Sequence, residues 1–121
     1  MEGTAGDPDD TLGSALAWAA RKASTSCSAA ARVQAARQLL YHCAWLVDAQ
    51  RDAVAEISML KALTGELVNE VTYTCQQFHG GMGYMRESPI ERLVRDARVL
   101  AIGGGATEVM LEEVAKRIAV P

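Results

Sequence analysis

Residues 75–110 read CQQFHGGMGYMRESPIERLVRDARVLAIGGGATEVM, and the way this stretch divides decides the fold. It holds two glycine clusters, Gly80-Gly81-Met82-Gly83 and Gly103-Gly104-Gly105. Glycine admits positive φ and lets a ligand approach the main chain closely. Between the clusters, Ser88-Pro89-Ile90-Glu91 spells a helix start twice: Ser at the N-cap with Glu three residues later, and Pro at the first helical position. A short helix is therefore predicted over residues 89–98, with Arg92, Arg95 and Arg98 on one basic side. Residues 80–86 read as an irregular loop, and residues 99–102 as a brief extended link. A last helix follows over residues 106–118, where Val109, Leu111, Val114 and Ile118 are apolar. Glu108, Glu112 and Glu113 lie towards its start and Lys116 and Arg117 towards its end, which suits the helix dipole. Two readings of the glycine clusters stand side by side. They are turns between helices, or loops whose backbone N–H groups receive anionic oxygens such as phosphate.

Upstream, the apolar spacing is strong. Ala29, Val33, Ala36, Leu40, Cys43 and Val47 recur at steps of four and three, one seam on a helix over residues 28–50. Asp52 is the expected N-cap of a second long helix. There Ile57, Leu60, Thr64, Leu67, Val71, Thr74 and Phe78 repeat the spacing up to the first glycine cluster. Two long amphipathic helices joined by a short turn form an αα-hairpin, and apolar stripes this wide call for a bundle with further helices. The fold class is all-α, an up-down helical bundle. Before the hairpin, residues 11–22 suggest a short helix with Leu12, Ala15, Leu16 and Ala19 on one side. Ser24-Thr25-Ser26 then interrupts it, because hydroxyl side chains compete for helix hydrogen bonds. Residues 1–10 carry four acids and no periodicity, and read as a disordered tail ahead of one domain over residues 11–121.

Composition excludes several function classes. A formal charge of −3, with no basic stripe, argues against nucleic acid as the main partner. No apolar run approaches the ~20 residues of a membrane span. The acidic start MEGTAGDPDD resembles neither a signal peptide nor an Arg-rich transit peptide. Cys27, Cys43 and Cys75 are odd in number and far apart, which suits a reducing compartment rather than a disulfide framework or a C-x-x-C zinc site. No metal site is expected, since His and Cys never recur at ligand spacing. A nucleophilic triad lacks its elbow motif, and of the two candidate bases, His42 and His79, the first reads as a packing or surface histidine. Gly81-Met82-Gly83 follows a helix rather than a strand, so it is not a dinucleotide fingerprint. Arg92, Arg95, Asp96 and Arg98 read most simply as a solvated or ion-paired face.

The run QQFHGGMGYMRESPIERLVRDARVLAIGGGATEVMLEEVAKRI closely resembles the C-terminal end of acyl-CoA dehydrogenases, flavoenzymes that desaturate acyl-CoA thioesters between Cα and Cβ. AARQLLYHCAWLVDAQ and AVAEISMLKALTGELVNE resemble the two long helices that precede it in that family. The resemblance covers residues 30–118. It implies a four-helix C-terminal domain that helps to hold FAD and builds the core of an oligomer, a dimer or tetramer. Gln77, Phe78, His79, Gly80 and Gly81 match the segment that reaches the FAD of a neighbouring subunit. Ala106, Thr107 and Glu108 match the segment that contacts the FAD of its own subunit. The family usually has Thr at the position of Ala106, so one hydroxyl donor is missing and Thr107 is the neighbour available to compensate.

Many family members carry the catalytic glutamate at the position of Gly104, and glycine cannot remove a proton. In this respect the chain resembles the long-chain and isovaleryl-type branch, whose glutamate lies on an earlier helix. The resemblance implies a partial FAD site and a chain that is inactive alone, working with the family's other domains, with acyl-CoA a ligand of the complete enzyme. A bacterial cytoplasm or mitochondrial matrix is the implied compartment. The alternative is a stand-alone, non-catalytic helical interaction module that pairs with a complete homologue.

Overall fold

The computed structural model describes residues 8–118, with side chains from residue 22 onward. Helix α1 spans Pro8–Asp48, α2 Val54–Phe78, α3 Pro89–Arg98 and α4 Thr107–Arg117, with 3₁₀ turns at Gly80–Tyr84 and Val99–Ala101. No strand occurs among the described residues, as the all-α reading requires. The chain divides into two units, residues 1–31 and 32–121.

In the first unit the backbone is helical from Pro8 and continues through Ser24, Thr25 and Ser26, where a break was expected. Hydroxyl residues lose only a few tenths of a kcal/mol to alanine inside a helix. No glycine or proline between residues 14 and 48 adds to that loss. Of the expected tail, residues 1–7 lie outside the described residues, and residues 8–10 open α1. The expected apolar side of Leu12, Ala15, Leu16 and Ala19 lies outside the described side chains.

In the second unit, the end of α1 and α2 run antiparallel, as expected of the hairpin. Arg32 pairs with Glu70 near one end. Towards the other, burial pushes the Cys43 thiol above its ordinary value, and the nearby Glu56 carboxylate adds to the effect. The turn between them closes when the Arg51 N–H donates to the Leu46 carbonyl at 2.9 Å, with Gln50 at φ +54°. This is a left-handed helix end, here formed by glutamine instead of glycine. The N-cap of α2 is Ala53, not Asp52 as expected; Asp52 stands one residue outside it, where its Oδ1 accepts the Val54 N–H at 3.1 Å.

The seams are narrower than periodicity implied. Ala36, Cys43, Leu46, Ala53, Ala62, Leu67, Ile90, Ala97 and Ala101 are buried, whereas Val33, Leu40, Val47 and Ile57 are exposed. Between the two long helices lies an open apolar groove of about 450 Å³, with Leu40, Leu60, Thr64, Leu67 and Val71 in its walls. The second buried face of α2 is small and polar: Ser58, Ala62 and Gly65. A Cβ at Gly65 would sit 3.0 Å from the Leu100 carbonyl oxygen and 3.2 Å from the Ala101 Cα, so the absent side chain admits the following backbone.

At α3 the bounds agree with expectation, but the capping box does not form. Ser88 is the N-cap and makes no side-chain cap hydrogen bond, and Glu91 instead pairs with Arg95 at 3.5 Å. Pro89 at the helix start is what remains of the doubled signal. The expected extended link over residues 99–102 is a 3₁₀ turn, because the Ile102 and Gly103 N–H groups both return to the Val99 carbonyl, at 3.0 and 2.7 Å. The first glycine cluster is likewise a 3₁₀ turn, not an irregular loop.

Candidate functional site

The first candidate segment is built where α2 ends. Gln77 and His79 are exposed and Phe78 is half-buried. His79 Nδ1 lies 2.7 Å from the Cys75 carbonyl, which can only accept, so Nδ1 is the donor of this pair. Gly80 turns the chain at φ +59°. A Cβ at Gly80 or Gly81 would meet nothing within 4 Å, so both present open backbone. Gly83 is the opposite case. A Cβ there would lie 2.7 Å from the Gln76 carbonyl oxygen and 2.9 Å from the His79 Cβ. Gln76 locks this approach, its Nε2 donating to the Gly83 carbonyl at 3.0 Å. The cluster thus contains two open glycines and one sealed one.

The second segment follows Gly103-Gly104-Gly105. Gly104 and Gly105 have φ of +67° and +107°, which suits glycine. Ala106 is the N-cap of α4 and offers no capping side chain. The Met110 N–H donates to the Ala106 carbonyl at 3.0 Å. By helix geometry, the N–H groups of Thr107, Glu108 and Val109 therefore have no partner within the helix. Thr107 Oγ1 donates to Glu66 Oε1 at 2.9 Å, with the Ala101 carbonyl a more distant acceptor at 3.5 Å. Lys61 Nζ donates to the Leu100 carbonyl at 2.5 Å, and its Cε lies 4.0 Å from where a Cβ of residue 104 would be.

The two segments sit at different stations of α2, one tied at Gln76 and the other at Glu66, about 15 Å apart along the axis. Within one chain they are not brought together. Open glycine backbone at one and uncapped helical N–H groups at the other both suit phosphate or flavin oxygens.

Other sequence candidates fall elsewhere. Arg92 pairs with Asp96 at 3.5 Å and Arg95 with Glu91 at the same distance, an exposed ion-paired face. His42 is exposed and stacks on Trp45 at 5.9 Å between ring centroids, with Arg51 5.7 Å from the Trp45 ring. The three cysteines are free. No group of His, Cys, Asp and Glu among the described residues could hold a metal ion. No helix among them is long and apolar enough to cross a membrane. Sequence reasoning missed Lys61, Glu66, Asn69 and Gln76. For Asn69 and Gln76 a signal was available: Ser58, Ala62, Gly65, Asn69, Thr72 and Gln76 recur at steps of four and three, a second stripe made of small and polar residues, whereas Lys61 and Glu66 lie off it.

The acyl-CoA dehydrogenase C-terminal domain family matches residues 13–119. The caffeyl-CoA reductase–Etf complex subunit CarC of Acetobacterium woodii is 40% identical over 80 residues, covering 66% of this chain and 21% of its own length. The mitochondrial long-chain specific acyl-CoA dehydrogenase of Sus scrofa is 45% identical over 82 residues, covering 68% and 19%. A crystal structure assigned as an acyl-CoA dehydrogenase from Mycobacterium smegmatis superposes with a TM-score of 0.74 at 33% identity, over 95% of this chain and 29% of that one. The chain spans about a fifth of the length of these curated relatives. With the family's domain matched over most of its residues and the fold shared, this chain belongs to the acyl-CoA dehydrogenase family, as a C-terminal domain.

Proposed function

We propose that these residues serve as the C-terminal domain of a FAD-dependent acyl-CoA dehydrogenase, holding flavin and building the oligomer core without supplying the catalytic base. The match over residues 13–119 is the observation that carries the reading. When bound, FAD supplies the acceptor for the hydride that leaves Cβ. Gln77, Phe78, His79, Gly80 and Gly81 approach the flavin nucleotide of a neighbouring subunit through the open glycine backbone. Ala106, Thr107 and Glu108 hold the flavin of their own subunit with the helical N–H groups at the start of α4. Because Gly104 has no carboxylate, removal of the α-proton falls to a group elsewhere in the complete enzyme. The working compartment is a bacterial cytoplasm or a mitochondrial matrix.

The chain alone is expected to oxidise no acyl-CoA and to bind FAD weakly, because two half-sites about 15 Å apart share few contacts with one ligand. FAD added to the ¹⁵N-labelled chain should perturb the amides of Gly80, Gly81, Thr107 and Glu108. A perturbation map that spares both segments overturns the site assignment. A stoichiometrically yellow chain that bleaches with short, branched or long acyl-CoA overturns the inactivity.

Self-association is the second expectation. Leu40, Tyr41, Trp45 and Val47 on α1 and Val54 and Ile57 on α2 expose apolar surface that water disfavours. Sedimentation should resolve a dimer or tetramer of defined stoichiometry. A monomer at high micromolar concentration would count against the oligomer core.

A further inference from the structure

We propose that Lys61 and Glu66 are positioning residues for the segment Ala106-Thr107-Glu108, clamping the glycine-rich connection before α4 at both ends. The inference rests on the reading that this segment holds flavin. The connection needs a clamp. Gly104 and Gly105 carry no side chains and adopt positive φ. Between the Gly103 N–H, tied to the Val99 carbonyl, and the Met110 N–H, tied to the Ala106 carbonyl, no backbone hydrogen bond spans it. Such a stretch has much conformational entropy to lose when it meets a ligand. Two side chains of α2 reduce that freedom beforehand. Lys61 holds the Leu100 carbonyl just before the glycines, and Glu66 holds the Thr107 hydroxyl just after them. The two lie five positions apart on one helix, about 7.5 Å along its axis, so they fix two separate points on the loop.

Glu66 has two further effects. It places a carboxylate at the start of α4, where Ala106 supplies no cap and the helix dipole favours negative charge. It is also the nearer acceptor of the Thr107 hydroxyl, at 2.9 Å against 3.5 Å to the Ala101 carbonyl, so that hydroxyl is engaged within the chain. What the segment offers a flavin is backbone N–H, aimed by Glu66 and Lys61. Both side chains act through the loop and are not catalytic residues.

The test uses the full chain and the variants Glu66→Ala, Glu66→Gln and Lys61→Met. Amide hydrogen exchange is followed at Gly103 and Met110, with Leu67 on α2 as the internal reference. Loss of one clamp should speed exchange at Met110 in Glu66→Ala, and at Gly103 in Lys61→Met, by about fivefold. Leu67 should be unchanged. Glu66→Gln retains an acceptor oxygen and should restore Met110 to within about twofold of the parent chain. Unchanged exchange in Glu66→Ala and Lys61→Met overturns the proposal, and so does a rise at Leu67 equal to that at Met110. A second arm titrates FAD and reads the Thr107 and Glu108 amides. If FAD shifts them in the parent chain and equally in Glu66→Ala, the positioning role is overturned. If FAD leaves them unmoved in the parent chain, the flavin reading fails while the exchange result still decides the clamp.

Discussion

Leu67→Ala is expected to lower the unfolding free energy by about 2–5 kcal/mol, and Leu40→Ala by about 1 kcal/mol or less. By spacing alone the two are equivalent, each on the apolar seam of its helix. The structure separates them: Leu67 is 4% exposed and Leu40 52%. Leu67 is one of few large side chains in a core otherwise rich in alanine, and no large side chain among the described residues is fully buried. Leu67 also walls the open groove between the long helices, so its truncation widens that groove and the loss follows the buried apolar area removed. Urea melts at a fixed protein concentration measure both differences. Equal losses would mean that Leu40 is covered in solution. Its loss would then grow with protein concentration, since association stabilises by mass action. Leu67→Ala within 1 kcal/mol of the parent chain would contradict the packing described.

Gly83→Ala is expected to cost about 1–3 kcal/mol, while Gly81→Ala, two residues earlier, should leave stability within about 0.5 kcal/mol. The added methyl at Gly83 meets backbone: the Gln76 carbonyl oxygen at 2.7 Å cannot rotate away as a side-chain tip would. The 3₁₀ turn must open, and the Gln76 hydrogen bond to the Gly83 carbonyl goes with it. At Gly81 the methyl enters open space. If the open backbone of Gly80 and Gly81 is where a flavin nucleotide approaches, Gly81→Ala should weaken the FAD-induced shifts there without altering the melt. Gly80→Ala falls between, because φ of +59° strains any residue with a Cβ by about 1–2 kcal/mol. A neutral Gly83→Ala would show that the turn is looser than described. A Gly81→Ala chain that binds FAD as the parent chain does would remove that glycine from the site.

Much of this architecture is a property of the sequence by itself. Three-four spacing of apolar residues determined the two long helices and their hairpin, because a helix must turn such a stripe away from water. Pro89 set the start of α3, since its ring forces φ into the helical range and its missing N–H is not needed there. The motif residues also placed the chain in its family. Tertiary structure decided the rest. Four residues of the predicted seams, Val33, Leu40, Val47 and Ile57, are exposed, because periodicity shows which face is apolar but not how much of it a partner covers. The polar stripe of α2 went unread for a related reason. In a sequence, Lys61, Glu66, Asn69 and Gln76 look like a solvated face. Folded, Asn69, Gln76 and Lys61 donate to the carbonyls of Ala97, Gly83 and Leu100, and Glu66 accepts from Thr107. Spacing shows that Asn69 and Gln76 share a stripe, but not which groups they meet, whether seven residues away as at Gly83 or 28 as at Ala97, and only the folded chain brings donor and acceptor together.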